Sequence, residues 1–389
     1  MLGFINNELK LLKQAGLIRD FTTISAIKGS RVKIDDKWYV SFCTNDYLGL
    51  SQHPAVIKSA QKAIKDIGWG SGASRLMGGT FSYHKDLESE IARFKNSDDA
   101  LLFTSGYAVN LGVITTLVTK DDAIFCDALN HASLVDASRL TKAKLNIYRH
   151  RDVSHLDKLL QNARRTAHGA RCRRFIITDA VFSMDGDTAP LADIVTLSKK
   201  YNAITIIDEA HSTGVLGKHG RGLAEYLNLE KEVNISIGTL SKAAGSIGGF
   251  VTGNKDLITY LRSKSRPFIF TTALPPAACA AGIEALRIIR RNPELREKLW
   301  NNTAYIKARL KESGFDFRGS ETSIIPIMIG DAKKTFEVSQ YLWKNGLFIP
   351  AIRPPTVPIG ESRLRITITA MHTKKELDLL LKHLKAIVT

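Results

Sequence analysis

An acid and an amine, each delivered by the end of a short apolar run, are the first residues of this chain that could do chemistry. Ile204-Thr205-Ile206-Ile207 leads into Asp208, followed at once by Glu209-Ala210-His211. Asn234-Ile235-Ser236-Ile237-Gly238 leads into Thr239-Leu240-Ser241-Lys242, and then into Gly245 and Gly248-Gly249-Phe250. Open α/β sheets bind ligands at the carboxyl ends of their strands, so Asp208 and Lys242 are placed to grip the two ends of one molecule. A lysine amine forms a Schiff base with an aldehyde, and an acid facing a ring nitrogen keeps the ring protonated and able to take up the electrons of a carbanion. That pairing suits pyridoxal 5′-phosphate. His211 can then reach the ring's phenolic oxygen or orient the acid, and Thr239 can offer its hydroxyl to the phosphate. The three glycines after Lys242 let backbone approach a ligand or turn sharply.

Plainer readings of the same residues exist. An Asp that ends an apolar strand is often the N-cap of the next helix, and a Ser-Lys pair is often solvated surface. Asp208-Glu209-Ala210-His211 also spells the box of a helicase-type ATPase. Such an enzyme needs a G-x-x-x-x-G-K-[ST] loop upstream to hold nucleotide phosphates, and the chain has none. The order and spacing of both motifs together favour the pyridoxal-phosphate reading.

The elements that must position these residues are legible as alternating strands and helices. Apolar residues Phe4, Ile5, Leu9, Leu12, Leu17 and Ile18 predict an amphipathic helix over residues 1–20, and Arg31 to Phe42 alternates around Asp35-Asp36 as a β-hairpin. Pro54 starts a helix to Ile67. The glycine-rich run Gly68 to Thr80 follows no strand, so it is read as an active-site loop rather than a dinucleotide fingerprint. Ala100–Phe103 is a strand, and Thr104-Ser105-Gly106-Tyr107 opens the following helix, whose N-terminus is a natural seat for a phosphate. Tyr107 is placed to cover a cofactor. Ala123–Cys126 is a strand ending before Asn130-His131-Ala132-Ser133, where a planar imidazole can stack on a planar ring. Phe175–Asp179 feeds Val181-Phe182-Ser183-Met184-Asp185-Gly186-Asp187. Repeated strand–loop–helix units imply right-handed crossovers and a mainly parallel sheet. After Pro267 to Pro276 the pattern changes to a mixture of helices and strands. The expected division is an N-terminal helix and hairpin over 1–44, a large α/β domain over 45–275 and a smaller α+β domain over 276–389.

The 389 residues suffice for two or three domains, and a hydrophobic content of 44% is ordinary for a buried core. Lys and Arg number 55 against 38 Asp and Glu, a net charge of +17 that favours anionic partners. The charge is spread, with small clusters at Arg171, Arg173 and Arg174 and at Arg287, Arg290 and Arg291, and no aromatic-interleaved basic tract, so no nucleic-acid partner is expected. Cys43, Cys126, Cys172 and Cys279 make neither a zinc pattern nor a disulfide framework. The N-terminus lacks the apolar core of a signal peptide. No apolar run approaches the ~20 residues that cross a bilayer. A cytoplasmic enzyme without a membrane or metal partner is the expectation.

Six ordered motifs carry a resemblance: Asn45-Asp46-Tyr47-Leu48-Gly49, Ser105-Gly106-Tyr107, His131-Ala132-Ser133, Ser183-Met184-Asp185-Gly186-Asp187, Asp208-Glu209-Ala210-His211 and Thr239-Leu240-Ser241-Lys242. From about residue 17 to 387 the chain resembles the α-oxoamine synthases, fold-type I pyridoxal-phosphate transferases (aspartate aminotransferase-like) that condense an amino acid with an acyl thioester and release CO2. Ile352-Arg353-Pro354-Pro355-Thr356-Val357-Pro358 and Arg363-Leu364-Arg365 look most like the biotin-pathway members, which use L-alanine and pimeloyl-CoA or a pimeloyl-acyl-carrier protein. Glycine-using members share the core motifs and are the alternative.

The resemblance implies roles. Lys242 is the catalytic base and acid, Asp208 pairs with the ring nitrogen, and His131 stacks on the ring. Ser183 and His211 lie by the phenolic oxygen. Ser105, Gly106, Tyr107 and Thr239 hold the phosphate, with Thr271 or Thr272 supplied by a second subunit of a homodimer. Arg365 clamps the substrate carboxylate, as a guanidinium fork suits it. Asn45, His131, Arg353 and Thr356 line the substrate side. The N-terminal substrate contact falls at Ile18 or Arg19, of which Arg19 has the fitting chemistry. The family carries a Glu where Asp179 stands. An aminotransferase would share Asp208 and Lys242 but run to a pyridoxamine form, whereas a nucleic-acid binder would lose its partner steeply with salt.

Overall fold

The structure, a computed structural model, describes residues 2–14, 17–18, 20–166 and 172–388. Arg19 and Arg171 therefore lie outside the described residues. Helix α1 (Gly3–Gln14) precedes three short strands, β1 (Ala26–Lys28), β2 (Arg31–Ile34) and β3 (Lys37–Ser41). None of the α1 residues is buried, and Leu17 and Ile18 fall beyond its end, so the helix is shorter than the apolar spacing predicts. The hairpin is as predicted. Asp35 and Asp36 both have positive φ, 45° and 60°, as a two-residue turn matching the strand twist requires.

The chain then alternates through α2 (Pro54–Ile67), α3 (Ser82–Phe94), β4 (Asp99–Phe103), α4 (Gly106–Leu117), β5 (Ala123–Asp127), α5 (Ala132–Leu140), β6 (Lys144–Tyr148) and α6 (Val153–Thr166). It continues through β7 (Arg174–Asp179), α7 (Leu191–Tyr201), β8 (Ala203–Asp208), α8 (Leu223–Tyr226), β9 (Ile235–Thr239) and β10 (Gly249–Gly253). Helices α9 (Lys255–Lys264), α10 (Arg266–Ile269), α11 (Pro276–Arg291) and α12 (Pro293–Glu312) follow. Last come β11 (Ile324–Gly330), α13 (Ala332–Lys344), β12 (Leu347–Phe348), β13 (Ala351–Ile352), β14 (Ser362–Thr367) and α14 (Lys374–Val388).

Contacts divide the chain into Asn45–Leu299 and a unit made of Met1–Thr44 with Trp300–Thr389. The first is built on a seven-stranded sheet of order β4-β10-β9-β8-β7-β5-β6. Pairs β5–β6, β5–β7, β7–β8 and β8–β9 are parallel, whereas β10 runs antiparallel to both neighbours. Strands covered on both faces read as continuous apolar runs. Accordingly Ile124, Phe175, Ile177, Ile206, Ile237 and Val251 share one core with Val113 and Ile114 of α4. Helix α11 belongs to this unit: Ser59 of α2 donates to the Ala280 carbonyl at 3.0 Å, and a Cβ at Gly282 would stand 3.3 Å from Leu87 of α3. The first unit thus extends past residue 275, where the change in sequence pattern had placed the boundary.

The second unit holds two small sheets, β1-β2-β3-β12 and β11-β14-β13. Strand β12 joins the hairpin by pairing parallel with β3, which brings the two chain segments into one body. Phe42, Ile325, Ile327, Leu342, Leu364, Ile366 and Leu380 form its core. Strand β14 alternates in sequence but is buried along its whole length, so Arg363 and Arg365 need partners. Arg363 donates Nε to the Glu361 carbonyl at 3.0 Å and Nη2 to its carboxylate at 2.9 Å.

Candidate active site

Asp208 ends the middle strand of the seven and is buried. Its two oxygens are assigned separately: Oδ2 accepts from Asn110 Nδ2 at 2.7 Å, and Oδ1 accepts from the Ala210 N–H at 2.9 Å. Asn110, on α4, also donates to Ser133 Oγ at 2.8 Å, and Ser133 Oγ lies 2.7 Å from His131 Nδ1. The Ser133 N–H donates to the same Nδ1 at 3.3 Å. A relay of Asn110 and Ser133 therefore joins the buried acid to the histidine, with His131 Nδ1 as an acceptor and its other ring nitrogen as the N–H. Burial lowers the pKa of His131; the charge of Asp208 opposes this and that of Lys242 adds to it. The imidazole is neutral near pH 7.

The His131 backbone N–H donates to Asp179 Oδ2 at 2.6 Å, and Asp179, at the end of β7, pairs in register with Asp208. Burial, then the neighbouring Asp208 charge, push the Asp179 carboxyl well above its ordinary range, while Lys242 pulls it down. Burial and a like charge both favour the protonated form of Asp179. The charge of Lys242 acts on both His131 and Asp179. Lys242 itself opens a tight turn closed by the Gly245 N–H donating to its carbonyl at 2.8 Å. Gly245 has φ +60°, and a Cβ there would lie 2.2 Å from the Ser51 nitrogen; only glycine fits.

His211 lies just beyond Asp208, with Nδ1 2.6 Å from the Tyr47 hydroxyl; both side chains are buried. Tyr47 is held in the turn that starts at Asn45, where Asp46 accepts from the Leu50 and Ser51 N–H groups at 2.9 and 3.1 Å. Ser183 lies in the loop after β7, folded on itself by Gly186 N–H to Phe182 O at 2.8 Å and Phe182 N–H to Asp187 O at 3.0 Å.

The predicted phosphate seat assembles as well. Ser105 caps α4, its Oγ accepting from the Ala108 N–H at 3.0 Å. A Cβ at Gly106 would stand 3.5 Å from Thr239 Oγ1, so the hydroxyl and the helix N-terminus converge. Thr239 Oγ1 donates to the Gly248 carbonyl at 2.8 Å and lies 2.7 Å from Ser241 Oγ. Gly249 serves a different purpose from ligand approach: it begins β10, and a Cβ there would lie 2.3 Å from the Ser105 carbonyl, so its absence lets the strand pass under the cap. Tyr107 is half exposed and donates its hydroxyl to Asp136 at 2.8 Å, so its side chain turns to that acid. Thr271 and Thr272 follow α10, where Thr272 bridges Ser74 of the glycine-rich run.

These residues fit pyridoxal phosphate: an acid braced by two donors for the ring nitrogen, an amine facing it, a neutral imidazole beside both, and a helix N-terminus with a hydroxyl for the phosphate. The Asn110 Oδ1 atom is buried without a hydrogen-bond partner among the described residues, which leaves an acceptor beside Asp208. The remaining predicted residues belong to the second unit. Arg365 is buried and donates to Thr367 Oγ1 at 2.8 Å. Arg353, over the Phe336 ring at 5.1 Å, and Thr356 line a cavity of about 910 Å³ with Phe21, Trp343 and Ile352. Asn110, Ser133 and Tyr47 had no role from sequence. The signal available for Asn110 is its isolation as an amide in an otherwise apolar stretch of α4.

Residues 37–384 match the family model of aminotransferases of class I and II. The chain is similar to an 8-amino-7-oxononanoate synthase of Petrotoga mobilis, 45% identical over 98% of this chain and 97% of that one. A second, from Citrifermentans bemidjiense, is 48% identical over 95% and 94%. Among solved structures, a serine palmitoyltransferase of Sphingomonas wittichii superposes with a TM-score of 0.92 at 31% identity, over 99% of this chain and 96% of that one.

Proposed function

The chain belongs to the aminotransferase class I and II family and, within it, to the α-oxoamine synthases, and from that premise we propose that it condenses L-alanine with a pimeloyl thioester. The products are 8-amino-7-oxononanoate, CO2 and the free thiol, a step of biotin biosynthesis. The observation that carries this reading is the near full-length likeness to 8-amino-7-oxononanoate synthases at 45–48% identity.

Pyridoxal phosphate, when bound, supplies an electron sink for the carbanion formed at the amino-acid Cα and again for the one formed when CO2 leaves. Lys242 Nζ takes the Cα proton and later returns one, which general acid–base catalysis makes worth about 10²–10⁴-fold. Asp208 holds a proton at the ring nitrogen, and the donors Asn110 and Ala210 keep its oxygens aimed. His131, neutral, packs on the ring without adding charge to it. His211, oriented by Tyr47, and Ser183 address the phenolic oxygen. Ser105, Gly106, the Tyr107 N–H and Thr239 hold the phosphate at the N-terminus of α4. In a homodimer, Thr271 and Thr272 of the second copy complete that seat.

Arg365 takes the alanine carboxylate with its fork of donors. The cavity at Arg353 and Thr356, with its aromatic walls, takes the acyl chain, and the resemblance assigns Asn45 and Arg19 to substrate contact. Both coenzyme A and an acidic carrier protein suit a chain of +17 net charge. No helix among the described residues is long and apolar enough to cross a membrane. The test is product mass from L-alanine or glycine with pimeloyl-CoA, for the wild type and Lys242→Ala. The expected outcome is 8-amino-7-oxononanoate from L-alanine, reduced by about 10²–10⁴ in the variant. Product from glycine alone, or near-normal turnover in Lys242→Ala, would sink the assignment.

A further inference from the structure

One histidine outside the site described above ties together two of its loops. His150 follows β6 and stands between two buried carboxylates, with Nδ1 2.8 Å from Asp127 Oδ1 and Nε2 2.8 Å from Asp187 Oδ2. The Phe182 ring meets the imidazole edge-on, at 4.4 Å and 87°. Carboxylates only accept, so both ring nitrogens donate when both acids are ionised. Arg151 reinforces both: its N–H donates to Asp127 Oδ2 at 2.9 Å and its Nη1 to Asp187 Oδ2 at 3.3 Å.

Each carboxylate anchors a different loop. Asp127 ends β5 and builds the turn leading to His131: its Oδ1 accepts from the Leu129 N–H at 2.8 Å, and its carbonyl accepts from the Asn130 N–H at 3.2 Å. Asp187 closes the loop that contains Ser183, through the Phe182 N–H to Asp187 carbonyl bond at 3.0 Å. The base of the first loop has its own tie to β7, because Asn130 Nδ2 donates to the Ile177 carbonyl at 2.8 Å and Asn130 Oδ1 accepts from the Asp179 N–H at 3.1 Å. That tie does not reach the Ser183 loop. His150 does.

We infer that His150 is a positioning residue that bridges Asp127 and Asp187 and so fixes the loop of His131 relative to the loop of Ser183. The inference rests on the proposed function, which puts His131 on the face of pyridoxal phosphate and Ser183 at its phenolic oxygen. Burial lowers the pKa of His150, but the hydrogen bonds and charges of Asp127 and Asp187 outweigh this and raise it to about 9, in keeping with a doubly donating ring at neutral pH. A brace of this kind acts on the free protein as well as the loaded one, since it pre-organises the site before binding.

The test uses the full-length protein with His150→Gln, His150→Phe and Asp187→Asn, the last two loosening the bridge from opposite sides. Hydrogen exchange without cofactor should rise about tenfold in residues 127–133 and 181–188 together, with far-UV circular dichroism unchanged. The dissociation constant for pyridoxal phosphate should rise about tenfold, and the visible circular dichroism of the bound cofactor should weaken. If either variant fails to fold, the milder His150→Gln carries the same expectations. Unchanged exchange in either loop overturns the inference, as does loosening of both loops with unchanged cofactor affinity. Failure of the wild type to bind pyridoxal phosphate overturns the cofactor reading itself and the inference with it, and it shows in the wild type alone.

Discussion

Among the described residues Asp208 has two hydrogen-bond donors, and one of them, the Asn110 amide at 2.7 Å, is a side chain that can be removed. A hydrogen bond to a charged partner contributes about 1.5–3 kcal/mol, so Asn110→Ala should weaken pyridoxal phosphate binding by about tenfold or more while Lys242 stays in place. A spectral titration measures this, and an unchanged dissociation constant would mean that Asn110 does not hold the acid. Asp208 and Lys242 were legible in the sequence because each follows an apolar strand and the two motifs occur together in order. The relay from Asn110 through Ser133 to His131 was not, because it joins α4 to the loop after β5 and to β8, and no local pattern records which side chains meet at the ends of parallel strands. Asp179 was noticed only as a departure from the family's Glu. The structure pairs it in register with Asp208, and burial and that charge push its carboxyl above the ordinary range.

Elements were read well where local chemistry decides them and poorly where partners do. The β2–β3 hairpin follows from two aspartates that tolerate positive φ. Strand β10 was missed because Gly248-Gly249-Phe250 reads as a turn; its strand character comes from β4 on one side and β9 on the other. The same dependence on partners governs His372, which precedes α14 and whose ring stacks on Phe42 of the opposite segment at 4.3 Å and 6°. Its Nε2 donates to the Ser41 carbonyl at 3.0 Å, and its Nδ1 accepts from the Thr369 N–H at 3.0 Å. Burial lowers its pKa from 6.5 to about 4, against the Ser41 carbonyl, the Glu376 charge and a backbone hydrogen bond with Thr369. A depressed pKa means stability that is full above pH 6.5, falls as pH drops and is gone below about 4. We expect urea unfolding to show a loss on the order of 3 kcal/mol over that window, and His372→Gln to flatten it. A wild-type profile no steeper than that of the variant would contradict the account.

At the scale of the molecule, the sequence showed one α/β sheet unit and a smaller mixed unit, but not that Met1–Thr44 and Trp300–Thr389 share a body. That union is made by the two-residue pairing of β12 with β3, by Phe42 in the core of the C-terminal segment and by His372 on the Ser41 carbonyl, contacts too scattered to leave a pattern. The proposed homodimer carries its own test at this scale. Lys242→Ala and the double variant Thr271→Val/Thr272→Val are each expected to be weak alone. Equal mixing after dissociation should restore about a quarter of wild-type activity, since half the dimers are mixed and one site in each is intact. No recovery in mixtures that contain mixed dimers would place both threonines in their own subunit's chemistry or in none. The measurement that bears most directly on the whole account is the fate of the alanine carboxyl. Carboxyl-labelled L-alanine and pimeloyl-CoA should yield labelled CO2 and free thiol in equal amounts, and only when both substrates are present. Thiol without labelled CO2, or conversion of alanine to pyruvate with its carboxyl retained, would contradict it.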